Sequence, residues 1–201
     1  MHVLVEDHLR AAALLRGVLS QVRPDHLDDA TPCGSWRVRD LLAHQLGQDR
    51  AFAVALAGGA DDPAAWAPVP VGDDASTTLL DALAEQDVAL RAFGDPDRHS
   101  IWMPEILPDR ALPAARALGA HLIDLVAHSW DLAVSIDAPL DVPDDLVAVS
   151  LQVARAIPDT DQTRGPERAF RRALDVESGA APFDEVLLLL GRDPRWQPPA
   201  G

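Results

Sequence analysis

Residues 117–136 read A-L-G-A-H-L-I-D-L-V-A-H-S-W-D-L-A-V-S-I, an apolar run interrupted by His121, Asp124, His128 and Asp131. At 100° per residue, a helix gathers these four side chains within an arc of roughly 80°. A helix that is apolar over the rest of its surface buries such a stripe. Buried polar groups need partners: water, one another or a metal ion. Asp124 and His128, four residues apart, share a helix face and can bind one ion. His44, on a separate helical stretch, would supply a third ligand, and three protein ligands leave open the coordination position that a catalytic metal needs. The spacing alone fits a hydrated stripe on a mostly buried helix better than it fits a metal site, because Asp and His four apart occur by chance on many helices. A lone His44 is likewise more often a hydrogen-bonded interior or rim histidine than a ligand.

Other reactive or recognition-grade residues are few. Cys33 is the single cysteine, which rules out a disulfide within the chain and agrees with a reducing cytoplasm, the expected location. It lies near a helix start, where a redox role and a packed thiol are both open readings. Trp36, Trp130 and Trp196 either line a substrate pocket or fill the core and seal its edge. Arg192, after Gly191, either recognises a substrate acid or pairs with an Asp inside a tight closing turn. All 17 basic residues are Arg, Lys, Asn and Tyr are absent, and the net charge is −15. That acidic balance argues against binding a nucleic-acid backbone or an anionic membrane. Small molecules, proteins or a cation remain as partners. The polar residues named above break the longest apolar run, so no membrane span is expected, and no secretory leader is visible.

The elements that must hold these residues are helices. Residues 4–22 place Leu4, His8, Ala11, Leu15, Val18 and Val22 on one face of an amphipathic helix. A second helix spans 37–57, with Asp40 at the positive end of its dipole and Gly58-Gly59 stopping it. The Pro- and Asp-rich residues 59–75 read as a loop. Thr78-x-x-Asp81 looks like a capping pair opening a third helix that ends at Gly94. Residues 95–113 read as an irregular crossing. The central helix follows, then a weaker one at 142–157 and a two-turn piece at 183–190. Only residues 169–176 hint at a strand, and no repeat is visible. The pattern is all-α, with helices of bundle length.

Three motifs sharpen this reading. Thr31-Pro32-Cys33-Gly34-Ser35-Trp36, followed by Val38, Asp40-Leu41 and His44, resembles the T-P-C-x-x-W-x-V-x-D-L-x-x-H opening of one bacterial family. Asp124 ahead of His128-Ser129-Trp130-Asp131-Leu132-Ala133 resembles its second motif, an acidic residue before H-x-W-D-L-A. Gly191-Arg192-Asp193-Pro194-Arg195-Trp196 is similar to its closing G-R-D-P-x-W. The family is the mycothiol-dependent maleylpyruvate isomerase N-terminal domain group, among the DinB-like metal-binding bundles.

The resemblance implies a DinB-like up-down four-helix bundle with a short additional C-terminal helical segment. It would be a single domain over 1–201, with bundle helices in 1–157 and an extension in 158–201 packing on them. It implies a divalent metal, zinc foremost with nickel or manganese as alternatives, held by His44, Asp124 and His128. Asp131 would orient a ligand imidazole from behind. His121 would be an extra ligand or line the pocket, and Trp130 would lie beside the site. The cosubstrate would be mycothiol, activated as a thiolate for attack on an electrophilic small molecule. S-transfer, cis–trans isomerisation of maleylpyruvate type and a non-catalytic metal-binding role are the three outcomes, in that order. The protein would be a monomer or homodimer. Two departures matter: the isomerase carries Glu where this chain has Asp124, and its separate C-terminal domain, which contributes an arginine, is not evident here.

Overall fold

The structure is a computed structural model and describes residues 3–59, 62–161, 163–165 and 170–199. Its helices are α1 (Val3–Leu19), α2 (Val38–Leu56), α3 (Ala75–Ala92), α4 (Ala114–Ser135), α5 (Asp144–Ala156) and α6 (Pro182–Leu189). A two-residue antiparallel ladder, β1 (Ser100–Ile101) with β2 (Leu112–Pro113), closes the crossing before α4. The fold is therefore all-α. α1 packs on α3 and α4, α2 packs on the same two, and α5 and α6 pack on each other beside α4.

The core holds three apolar clusters: two along the bundle with a polar layer between them, and a third where Ile123 and Ala127 of α4 meet Ala154 of α5, Val186 of α6 and Leu190. In α1 the layer is His8, lying between Val5 in one cluster and Ala11 in the other; in α2 it is Asp49, between Leu46 and Ala51. In α3 it is Gln86, between Leu83 and Leu90, and in α4 His121, between Leu118 and Leu122. The order in which each helix meets the clusters gives its direction. α1 and α4 run one way and α2 and α3 the other, so the four-helix bundle has the order up, down, down, up.

This order explains the connections. Because α2 and α3 run the same way, the chain must travel back along α2 between them, as residues 62–74 do. They do so in contact with it: the Val69 N–H donates to the Ala43 carbonyl at 2.9 Å, and the Gln48 amide donates to the Trp66 carbonyl at 3.1 Å. Gly47 allows the close approach, since a Cβ there would sit 2.3 Å from the Ala67 carbonyl oxygen. α4 is the centre, with 17 of its 22 residues buried.

Three local expectations change. α3 opens at Ala75 after Asp74, whose side chain makes no cap. Thr78 already sits inside the first turn, donating from its N–H to the Asp74 carbonyl, so the Thr78/Asp81 pair is not the cap. The strand hint at 169–176 is not a strand over its described part, 170–176. Phe170 makes one isolated bridge with Arg164, and the Leu174 N–H bonds the Leu188 carbonyl of α6. The crossing at 95–113, read as irregular, contains the β1–β2 ladder, which is too short to show alternation.

Candidate metal centre

His44 lies in the second turn of α2, behind an N-terminus where the Asp40 carboxylate accepts the Arg37 N–H at 2.9 Å. The antiparallel α4 presents Asp124 and His128 across from it. One ligand atom each from His44, Asp124 and His128 lie within 4.8 Å of one another. His128 Nε2 is 3.3 Å from Asp124 Oδ1, and the other oxygen, Oδ2, is buried without a partner. His44 makes ring contacts with Trp36 (5.1 Å) and His128 (5.2 Å), and no hydrogen bond among the described residues. Two imidazoles and a carboxylate converging with an orphaned oxygen form a donor set that suits zinc, nickel or manganese. The residues present fit such an ion, and three ligands leave a position open toward the cavity beside them.

The electrostatics agree. Burial pulls His44 down to about 4, so its imidazole is neutral and free to donate a lone pair. Burial pushes Asp124 up, but the charge and hydrogen bond of His128 outweigh it and hold the carboxyl well below its usual range. Burial likewise opposes charge on His128. The two carboxylates flanking its ring prevail and raise it well above the usual histidine value. Without an ion, a proton on Nε2 bridges to Asp124; an ion there would replace that proton.

Behind His128 stands Asp131, fully buried. Its Oδ2 accepts from His128 Nδ1 (2.8 Å), the Cys33 thiol (3.1 Å) and an Arg192 guanidinium nitrogen (2.9 Å). Arg192 Nε also approaches Oδ1 at 3.4 Å. Burial alone would raise Asp131, and Arg192 is the main influence that brings it down. Cys33, His128 and Asp131 also converge closely enough to hold an ion. The guanidinium already beside Asp131 makes that place unfavourable for a second cation. Cys33 is a buried thiol bonded to the Asp131 carboxylate, and it also lines the cavity beside the three ligands. The Asp partner expected for Arg192 within its own turn is instead Asp131, 61 residues away; Asp193 pairs with Arg195.

The four residues of the α4 stripe part company. Asp124 and His128 face His44, and Asp131 turns toward the closing segment. His121 looks the other way, into the polar layer. Its Nδ1 is 3.0 Å from His8 Nε2, its Nε2 is 3.6 Å from Asp49 Oδ1, and its ring stacks on Phe52 at 4.0 Å. One edge of His121 still lines the cavity, whereas Trp130 is buried on α4 and is not among the lining residues. Trp196 lies over the far end of α4, near Ala133 and Asp137.

The cavity measures about 930 Å3. Trp36, Met103 and Ile106 give it apolar surface, while Arg171 and Arg172 line it from the C-terminal segment. Glu105 lines it too, from the crossing before α4. Gln48, one turn past His44, donates to Glu105 Oε1 at 2.9 Å. Burial first and the Asp124 charge second push Glu105 up to about 7. Sequence reasoning missed Glu105 and Gln48. Glu105 sits in a Pro-rich stretch without periodicity. Gln48 carried a usable signal, its i+4 spacing from His44.

The family described as "Mycothiol maleylpyruvate isomerase N-terminal domain" matches residues 8–133. Two relatives from Mycobacterium tuberculosis, "Uncharacterized protein MT0763" (strain CDC 1551) and "Uncharacterized protein Rv0738" (strain H37Rv), are each 30% identical over 190 residues. In each case the match covers 94% of this chain and 97% of the relative. Among solved structures, the mycothiol-dependent maleylpyruvate isomerase and a histidine-to-alanine mutant of it superpose with TM-scores of 0.55 and 0.57. Both are 17% identical, covering 77% of this chain and 72% of theirs, a likeness of fold.

Proposed function

The chain belongs to the mycothiol maleylpyruvate isomerase N-terminal domain family, and from that premise we propose that it is a metal-dependent enzyme using a low-molecular-weight thiol, mycothiol foremost, against an electrophilic small molecule. The observation that carries the proposal is the convergence of His44, Asp124 and His128 beside an open cavity, with one buried carboxylate oxygen left unpartnered. A divalent ion held there, zinc before nickel or manganese, supplies positive charge that lowers a thiol's pKa, so that thiolate is present at neutral pH.

The chain's own groups do the rest. Trp36, Met103 and Ile106 give the cavity an apolar wall against which the electrophile's carbon skeleton can pack. Glu105, with Oε1 held by Gln48, keeps Oε2 for proton exchange with the substrate. In S-transfer the sulfur bonds to the electrophilic carbon, the leaving group departs, and the thiol proton passes to Glu105 or solvent. In the second reading, favoured by the solved isomerases that share the fold, thiolate adds reversibly to a conjugated double bond and rotation precedes its release. The thiol is then regenerated.

Metal analysis of the purified protein and a thiol-consumption assay test the proposal. The assay offers mycothiol with a panel of electrophiles, maleylpyruvate among them, with and without chelator. The expected result is about one ion per chain, lost in His44→Ala and His128→Ala, and chelator-sensitive turnover. Stoichiometric loss of thiol identifies S-transfer, and turnover with thiol returned identifies isomerisation. Ion-free wild-type protein, or turnover that ignores the chelator, would overturn it. In the described residues no helix is long and apolar enough to cross a membrane.

A further inference from the structure

The carboxylate behind His128 is held from outside the bundle. Arg192 follows Gly191, whose φ of 75° turns the chain sharply at the end of α6. That turn is packed tightly: a Cβ on Gly191 would sit 2.5 Å from the Arg172 carbonyl oxygen. The turn aims the guanidinium inward, where its side chain is only 11% exposed and bridges both oxygens of Asp131 at 2.9 and 3.4 Å. A second buried arginine, Arg164, fastens the same segment. It donates to the carbonyls of Arg171 and Leu189 at 3.0 and 2.6 Å and to that of Ile157 at 3.3 Å.

A guanidinium fork fixes a carboxylate in one plane, which a point charge does not. With Arg192 in place, Asp131 Oδ2 is presented to His128 Nδ1 at 2.8 Å. The ring is then turned so that Nε2 faces Asp124 and the cavity. Groups that orient a ligand imidazole set how well it binds an ion.

We infer that Arg192 is a positioning residue for the metal centre. It acts through Asp131 on the orientation of His128, and it makes docking of the closing segment, residues 182–196, part of the site. This rests on the metal reading above. Coupling between two such events is reciprocal, so an ion bound at His128 tightens the docked segment by the same factor that the segment tightens ion binding.

The test measures zinc affinity of the full chain by chelator competition, together with amide hydrogen exchange of residues 182–196 with and without zinc. In wild-type protein zinc slows exchange in that segment. Arg192→Gln weakens zinc binding about 10- to 100-fold and abolishes the zinc-dependent protection. Arg192→Lys, keeping the charge but not the fork, falls between. Should Arg192→Gln fail to fold, Asp131→Asn, which keeps an oxygen for His128 Nδ1 but weakens the hold of Arg192, shows the same loss in smaller measure. Zinc binding by Arg192→Gln within twofold of wild type, or exchange in 182–196 indifferent to zinc, overturns the inference and leaves the metal reading intact. A wild-type protein that binds no zinc overturns both.

Discussion

Asp49 is a carboxyl with no full cationic partner in the middle of the bundle. Gln45 and Gln86 each donate to its Oδ1 at 3.0 Å, and Oδ2 has no partner. Burial dominates and pushes the group up to about 7, against 3.8 for an ordinary Asp. Between about pH 4 and 7 the folded protein therefore keeps a proton that the unfolded chain has lost. Stability from this group is fully present below pH 4, falls as pH rises through that window, and is flat above it. The slope is about 1.4 kcal/mol per pH unit for one proton. Asp49→Asn keeps the shape and cannot ionise, so the variant should gain on wild type between pH 5 and pH 8. Urea midpoints of both proteins at the two pH values measure this; a stability difference that does not change with pH would show that Asp49 does not titrate there. His8, on the same layer, was visible in the sequence as a polar residue on an apolar helix face. Asp49, Gln45 and Gln86 were not, because an isolated polar residue in a helix pattern reads as a solvated position until its neighbours are known.

At the scale of elements, the positions of the helices were legible because 3.6-residue periodicity reports burial directly. Their ends were less so. The Thr78/Asp81 pair has the residue types of a cap, but the chain enters α3 one turn earlier, where tertiary packing of Ala75 decides the start. Helix direction was not legible at all, since it depends on which ends meet. The parallel run of α2 and α3 forces the 62–74 crossover onto α2, and Gly47 is the residue that admits it. A methyl group at 47 would meet the Ala67 carbonyl oxygen at 2.3 Å, against backbone rather than a flexible side chain. Gly47→Ala should then displace the crossover and strain the bonds from Val69 to Ala43 and from Gln48 to Trp66. We expect a loss of about 1–3 kcal/mol despite the better helix propensity of Ala. Chemical denaturation measures it, and a stabilised variant would show that the crossover does not press on α2 as described.

At the scale of the molecule, the candidate site is assembled from segments far apart in sequence. Trp36 comes from the first connection, His44 from α2, Glu105 from the crossing before α4, Asp124 and His128 from α4, and Arg192 from the closing turn. The motifs made His44, Asp124 and His128 readable as a set. The Arg192–Asp131 pair was not readable, because a local Asp193 offers itself as the partner and only the folded chain shows it taken by Arg195. A site built this way does not exist in the unfolded chain, so an ion that binds it binds the native state alone. Stabilisation then follows mass action, about 4 kcal/mol when free metal is 1,000 times Kd. For a chain of this size that is a rise in Tm of about 8–16 °C. Zinc should produce that rise in chelator-treated wild-type protein, and added chelator should reverse it. His128→Ala should show almost none of it, since only His44 and Asp124 remain to hold the ion. Scanning calorimetry reads all three. An equal rise in His128→Ala would place the ion elsewhere and separate the fold of this family from the metal centre proposed for it.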